Sequence, residues 1–150
     1  MASNLLFPTL MLTAGIGIPV MAALNSHLGA KLGSSALATA LLFFVGFTLS
    51  SAFLLKTEGL PTSIFRTNIP WYFYLGGLLV AFYVLSVTWV APQYGVGNAI
   101  SFVLLGQLIA ISFIDHYGLL GAQQSLLDGK RLVGLVMMVV GVFLVIKRSA

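Results

Sequence analysis

PWYFYLGGLLVAFYVLSVTWV, residues 70–90, is an unbroken apolar run framed by Trp71 and Trp89. On an α-helix rising ~1.5 Å per residue the two indoles stand about 27 Å apart, close to the ~30 Å hydrocarbon core of a bilayer. Tryptophan favours both membrane–water interfaces, where its amphipathic ring sits among the headgroups. The run therefore reads as a transmembrane helix with an aromatic belt at each end. Pro70 opens it, in a first turn where a missing N–H does no harm.

Working outward, similar runs lie at 5–24, 35–55, 98–114 and 132–146. Together with 71–91 they make five transmembrane helices in one domain spanning 1–150. Hydrophobic residues form 59% of the chain and charged residues 7%, and mean hydropathy is +1.07. A soluble domain is about a quarter charged, so no soluble fold of this size hides so much apolar surface. The runs are continuous rather than alternating at period two, which rejects a transmembrane β-barrel. The fold class is an all-α polytopic membrane protein.

The connections carry their own signals. Gly15, Gly17 and Pro19 predict a kink or break in the first span. Asn25, Ser26, His27 and Lys31 follow as a polar stretch, and Ser34 or Ser35 is placed to cap the second span. Residues 57–68, with Glu58, Gly59, Pro61 and Arg66, read as a loop. The stretch from Pro92 to Gly97 is a tight turn, making spans three and four an antiparallel hairpin. The segment from Tyr117 to Asp128 is too short and broken to cross and is expected at the interface. At roughly fifteen residues the fifth span is short, so Lys130 and Arg131 snorkel or the helix stands upright. The N-terminus lacks the basic region of a secretory signal, although Ala22-Ala23 would suit a cleavage site, and span one reads as a retained membrane helix.

The seven Lys and Arg residues divide almost evenly between the two membrane faces. With five spans, Lys56, Arg66, Lys130 and Arg131 share one face, and Lys31, Lys147 and Arg148 the other. Orientation normally follows an excess of Lys and Arg in short cytoplasmic loops. An excess of one gives insertion almost no preference, so the chain can enter either way up and pair with an inverted copy of itself. Cations scattered at span ends anchor an interface and do not mark a nucleic-acid site. The absence of cysteine removes disulfides, thiolate metal sites and cysteine nucleophiles.

Polar and ionisable groups inside a membrane are expensive and are functional candidates by default. No carboxylate lies deep in any span. Asp115 adjoins span four and either exchanges a proton with His116 tuning it, or simply ends the helix at the headgroups. Gln107, near mid-membrane, lies two turns before Asp115 and either meets substrate or bonds a neighbouring helix. Gly17, Met21 and Asn25 share one face of span one, where Asn25 lines a vestibule or caps the helix. Gly134 and Gly141 in span five, and Gly76 and Gly77 in span three, mark smooth faces for close helix approach, as packing or as a dimer seam. No nucleotide, zinc or hydrolase signature occurs, so the expectation is no enzyme, no cofactor and no metal.

The strings Asn25-Ser-His-Leu28-Gly29…Gly33, Gly76-Gly77…Val90-Ala-Pro-Gln-Tyr-Gly95-Val-Gly-Asn-Ala99, Gly106-Gln107…Asp115-His116-Tyr-Gly118-Leu-Leu-Gly121 and Arg131…Gly134…Gly141-Val resemble the DUF606 (YdcZ-like) family of the drug/metabolite transporter superfamily. The likeness covers essentially the whole chain. It implies a multi-pass protein of the bacterial inner membrane with five spans, similar to half of a ten-helix EamA-type transporter. Family members occur as dual-topology homodimers, as opposite-topology paralogue pairs or as fused ten-span chains. By family motif Asn25, Gln107, Asp115 and His116 carry over. The family pattern places a Gln four residues before the Asn; here Met21 stands there, and a hydrogen-bonding group on that face is missing.

The leading expectation is a small secondary transporter or exporter, working as an antiparallel dimer by alternating access. Ten helices related by a twofold axis in the membrane plane can enclose a path that five cannot. Trp89, Tyr83, Phe43 and Phe82 would make that path apolar and aromatic, suited to a small amphiphilic or lipophilic solute. The alternative is a non-transporting scaffold or accessory subunit. A passive channel fits less well, because no ring of charge is visible.

Overall fold

The computed structural model describes residues 3–60 and 69–146; Arg66, Lys147 and Arg148 lie outside the described residues. Five α-helices follow in order: α1 (Ser3–Leu32), α2 (Ser35–Thr57), α3 (Gly76–Tyr94), α4 (Val96–Tyr117) and α5 (Gly129–Val145). The first two, α4, and α3 together with the turn before it are long and apolar enough to cross a membrane. At 17 residues α5 spans about 26 Å, just under the ~30 Å core. The chain is an all-α polytopic membrane protein.

Several span limits move. Helix α1 continues unbroken through Pro8 and Pro19 to Leu32, so the predicted break at Pro19 is absent. In a membrane segment no water is at hand for freed backbone groups, so continuing the helix past a proline costs less than ending it there. The polar stretch after span one is therefore helical. α4 runs three residues past the expected end and includes Asp115 and His116. α5 starts three residues early, because the Asp128 carboxylate accepts from the Arg131 backbone N–H and caps it.

Span three does not begin as an α-helix. Residues Trp71–Leu75 form a 3-10 turn, and Pro70 sits outside it in extended conformation, its carbonyl accepting from Phe73 N–H at 3.1 Å. A 3-10 turn rises about 2.0 Å per residue, so the two tryptophans separate to roughly 30 Å, nearer the core thickness than a uniform α-helix allows. Both indoles are exposed.

The contacts group into two compact units, residues 1–93 and 94–150. In the first, α1 and α2 form a helical hairpin closed by two residues. Gly33 takes φ +65°, and the N–H groups of Gly33 and Ser34 reach the carbonyls of Ala30 and Gly29, which is a Schellman end. Ser34 Oγ then accepts from Leu37 N–H and starts α2, so one serine ends one helix and caps the next. The packed seam is built from small and polar residues: Ala22, Ala38, Val84, Val87 and Ala91 with Asn25, Ser26, Thr39 and Thr88. Small side chains let backbones approach where lipid supplies no hydrophobic drive.

In the second unit α4 and α5 pack together, with Phe102 and Phe143 edge to face at 6.4 Å. Large apolar side chains elsewhere on the helices point outward, among them Phe44, Phe47, Leu79, Phe82, Met137 and Leu144. That apolar surface calls for lipid or another helix around it.

Candidate functional site

Thr88, 2% exposed on α3, is the hub of the first unit. Its Oγ1 accepts from the Asn25 amide, Nδ2 to Oγ1 2.6 Å, a buried bond between helices. Asn25 is thus an interior tie inside the unbroken helix α1, seven residues before its end, and does not cap it. Other hydroxyls behave differently. Those of Thr9, Thr13, Thr48, Thr57 and Ser112 donate to carbonyls three or four residues back on their own helices. Beside the tie, Gly29 lets α1 come close: a Cβ there would stand 3.1 Å from Thr88 Cγ2, 3.4 Å from Ser35 Cα and 3.6 Å from Ala38 Cβ.

An open groove of about 410 Å³ runs between α1 and α2, lined by Met21, Leu24, Asn25, Leu28, Leu41, Leu42 and Val45. Six of these seven side chains are apolar, and the seventh is the largely buried Asn25. The structure brings the candidates Met21 and Asn25 together here. Trp89 and Tyr83 lie on α3 and do not line it, and neither do Phe43 and Phe82. The Tyr83 hydroxyl is buried without a hydrogen-bond partner, as is that of Thr39.

The second unit places Gln107 exposed on α4 and gives Asp115 and His116 firm partners. Gly118, at φ +60°, ends α4 in a left-handed cap. The following segment folds back onto the helix end instead of leaving it. Ser125 N–H donates to Asp115 O at 2.8 Å, and Gln124 Nε2 to His116 O at 3.1 Å, satisfying carbonyls that a helix end leaves open. Leu127 N–H donates to His116 Nδ1 at 3.2 Å, which assigns the imidazole proton to Nε2. The Arg131 guanidinium pairs with the Asp115 carboxylate and donates to Ser125 O and Oγ. Asp115, His116, the return segment and the start of α5 form one latch.

Sequence reasoning singled out Asp115 and His116 but missed Arg131 as the partner of Asp115 and missed Thr88 altogether. For Arg131 a signal existed: an acid ending one helix and a base opening the next, joined by a short polar segment. For Thr88 none did, since a threonine inside an apolar helix ordinarily satisfies itself. The glycines Gly76, Gly77, Gly134 and Gly141 have no atom of the described chain within 4 Å of where a Cβ would stand. No cluster of metal-ligating side chains occurs among the described residues.

Compared with known proteins, residues 6–144 match a family model described as "Putative inner membrane exporter, YdcZ". Searches of curated proteins and of solved structures find no significant match.

Proposed function

This chain belongs to the YdcZ family of inner-membrane exporters, and from that premise we propose that it exports a small amphiphilic or lipophilic solute as an antiparallel dimer. It is a multi-pass protein of the inner membrane, in contact with the lipid bilayer. The observation that carries the solute class is the groove: 410 Å³ of apolar wall holding one amide. Such a wall matches an apolar body by shape and packing, since lipid around the helices supplies no hydrophobic drive.

Three features support the inverted pair. Two helical units with largely outward-facing apolar side chains leave surface for a second copy to cover. The untouched glycines of α3 and α5 offer places for its helices to approach. The even cation balance lets both orientations insert. An inverted repeat then supplies alternating access, each copy's groove opening to one side in turn. The latch at the end of α4 holds α5 to its neighbour through this motion. Asp115 serves there as the partner of Arg131.

The test combines orientation and flux. The chain has no native cysteine, so Leu60→Cys, on an exposed residue, reports topology cleanly. Gly59 is the poorer position because its φ is +76°. Labelling of intact cells from both sides is expected, together with faster efflux of N-phenyl-1-naphthylamine, a neutral lipophilic dye, when the protein is expressed. One-sided labelling would end the self-pairing arrangement. Dye efflux equal to that of empty cells would end the exporter reading.

A further inference from the structure

The groove between α1 and α2 is selective in its charge and hydrogen bonding, and resting on the exporter reading above, we propose that its ligand is an uncharged amphiphile bearing one hydrogen-bond donor. The chain holds three acidic residues, Glu58, Asp115 and Asp128. None falls among the residues that line the groove. Asp115 is paired with Arg131, and Asp128 caps α5. A cation entering this groove would leave water without a counter-charge, and an unpaired charge in an apolar medium is strongly disfavoured. An anion fares no better, since no Lys, Arg or His lines it either.

What remains is the Asn25 amide. An asparagine side chain carries two N–H donors and a carbonyl acceptor. Here Nδ2 is committed to Thr88 Oγ1. The carbonyl Oδ1 has no described partner, on a residue that lines the groove and is 4% exposed. Among the side chains that line the groove, Oδ1 is the polar atom with no described partner, and it accepts. A ligand with an N–H or O–H and an otherwise apolar body completes both the groove and the amide. Met21, one turn away on the same face, adds a thioether and no competing donor. A lipid acyl chain is the competing occupant, filling the apolar wall but offering Asn25 nothing.

The experiment uses the whole chain in lipid nanodiscs with Leu28→Cys in the groove, reading protection of the thiol from a methanethiosulfonate reagent. Three probes share one ring system: N-phenyl-1-naphthylamine, its N-methyl derivative, which lacks the donor, and a quaternary ammonium analogue. The N–H compound is expected to half-protect at a concentration about three- to tenfold below that of the N-methyl compound, the span of one net hydrogen bond. The quaternary compound is expected to protect least. Equal protection by the first two, the outcome for an acyl-chain groove, overturns the proposal, and so does strongest protection by the cation. The comparison is made within one folded protein, so it survives if Asn25→Leu fails to fold; if that variant folds, it should lose the discrimination and keep protection. Donor-selective binding without dye efflux would uphold this proposal and reject the exporter reading, so the two fail separately.

Discussion

Thr88 concentrates two constraints in one side chain: its hydroxyl receives Asn25, and its methyl limits what can stand at Gly29. Thr88→Val keeps the shape and removes the acceptor. It should destabilise the protein by about 0.6–2 kcal/mol, the range for interhelical hydrogen bonds in membranes, in a denaturation titration in mixed micelles. Gly29→Ala forces a methyl to 3.1 Å from Thr88 Cγ2 and should cost about 1 kcal/mol. Adding Thr88→Ser removes that methyl and keeps the hydroxyl, so the double variant should recover most of the loss. Simple additivity of the two changes would show that the contact does not limit packing. Leu120 is the other residue under constraint, a non-glycine at φ +57° between Gly118 and Gly121. A left-handed L-residue costs roughly 1–2 kcal/mol, and Asn tolerates that region better, so Leu120→Asn is expected to raise stability slightly in the same titration.

At the level of elements, α4 and α5 are joined by a return segment that works as a fastening. The Asp115–Arg131 pair is about 70% buried on each side, so solvent weakens it only in part. Arg131→Met should cost about 1–2 kcal/mol by removing the ion pair and both bonds to Ser125. Its signature is local: amide exchange at Ser125 and Leu127 should accelerate while the interior of α4 stays protected. His116→Ala should release the Leu127 amide alone, since Ser125 keeps the Asp115 carbonyl. Reversing the pair with Asp115→Arg and Arg131→Asp together should restore protection at Ser125 if charge pairing is what holds the segment. Gly95 sets the other junction. It stands alone between α3 and α4 with φ +92° and ψ 136°, where a Cβ is strained, and this is why a single residue can end one helix and begin the next.

For the whole molecule, the proposed five-span arrangement puts four of the seven Lys and Arg residues on one face and three on the other. Glu58→Lys adds a positive charge to the side carrying Lys56 and Arg66, raising that excess from one to two. Because Lys and Arg set orientation and acidic residues contribute little, the change should bias insertion toward one topology. Labelling of a Leu60→Cys reporter in intact cells should shift from two-sided toward one-sided. If pairing is inverted, the export activity should fall with it, and co-expression of a variant biased the opposite way should restore it. Unchanged two-sided labelling would show that this charge margin does not govern insertion.

The existence and approximate placement of the helices were legible in the sequence, because a membrane core demands long apolar runs and aromatic ends whatever the neighbours are. The run from Trp71 to Trp89 shows this, and so does Ser34 as a cap, where local chemistry decides. Asn25 and Asp115 were visible as polar residues at apolar boundaries, but Thr88 left no signal and the pairing of Arg131 went unread. Asn25 meets Thr88 across 63 residues, and Asp115 meets Arg131 across 16. Such pairs arise only when separate helices are brought side by side, and no spacing rule along one helix encodes them. Composition and periodicity determined by themselves that this chain lives in a bilayer as a set of helices. Tertiary structure decided which polar atoms were consumed in holding those helices, as in the Asn25–Thr88 and Asp115–Arg131 pairs, because a hydrogen bond exists only once its geometry does.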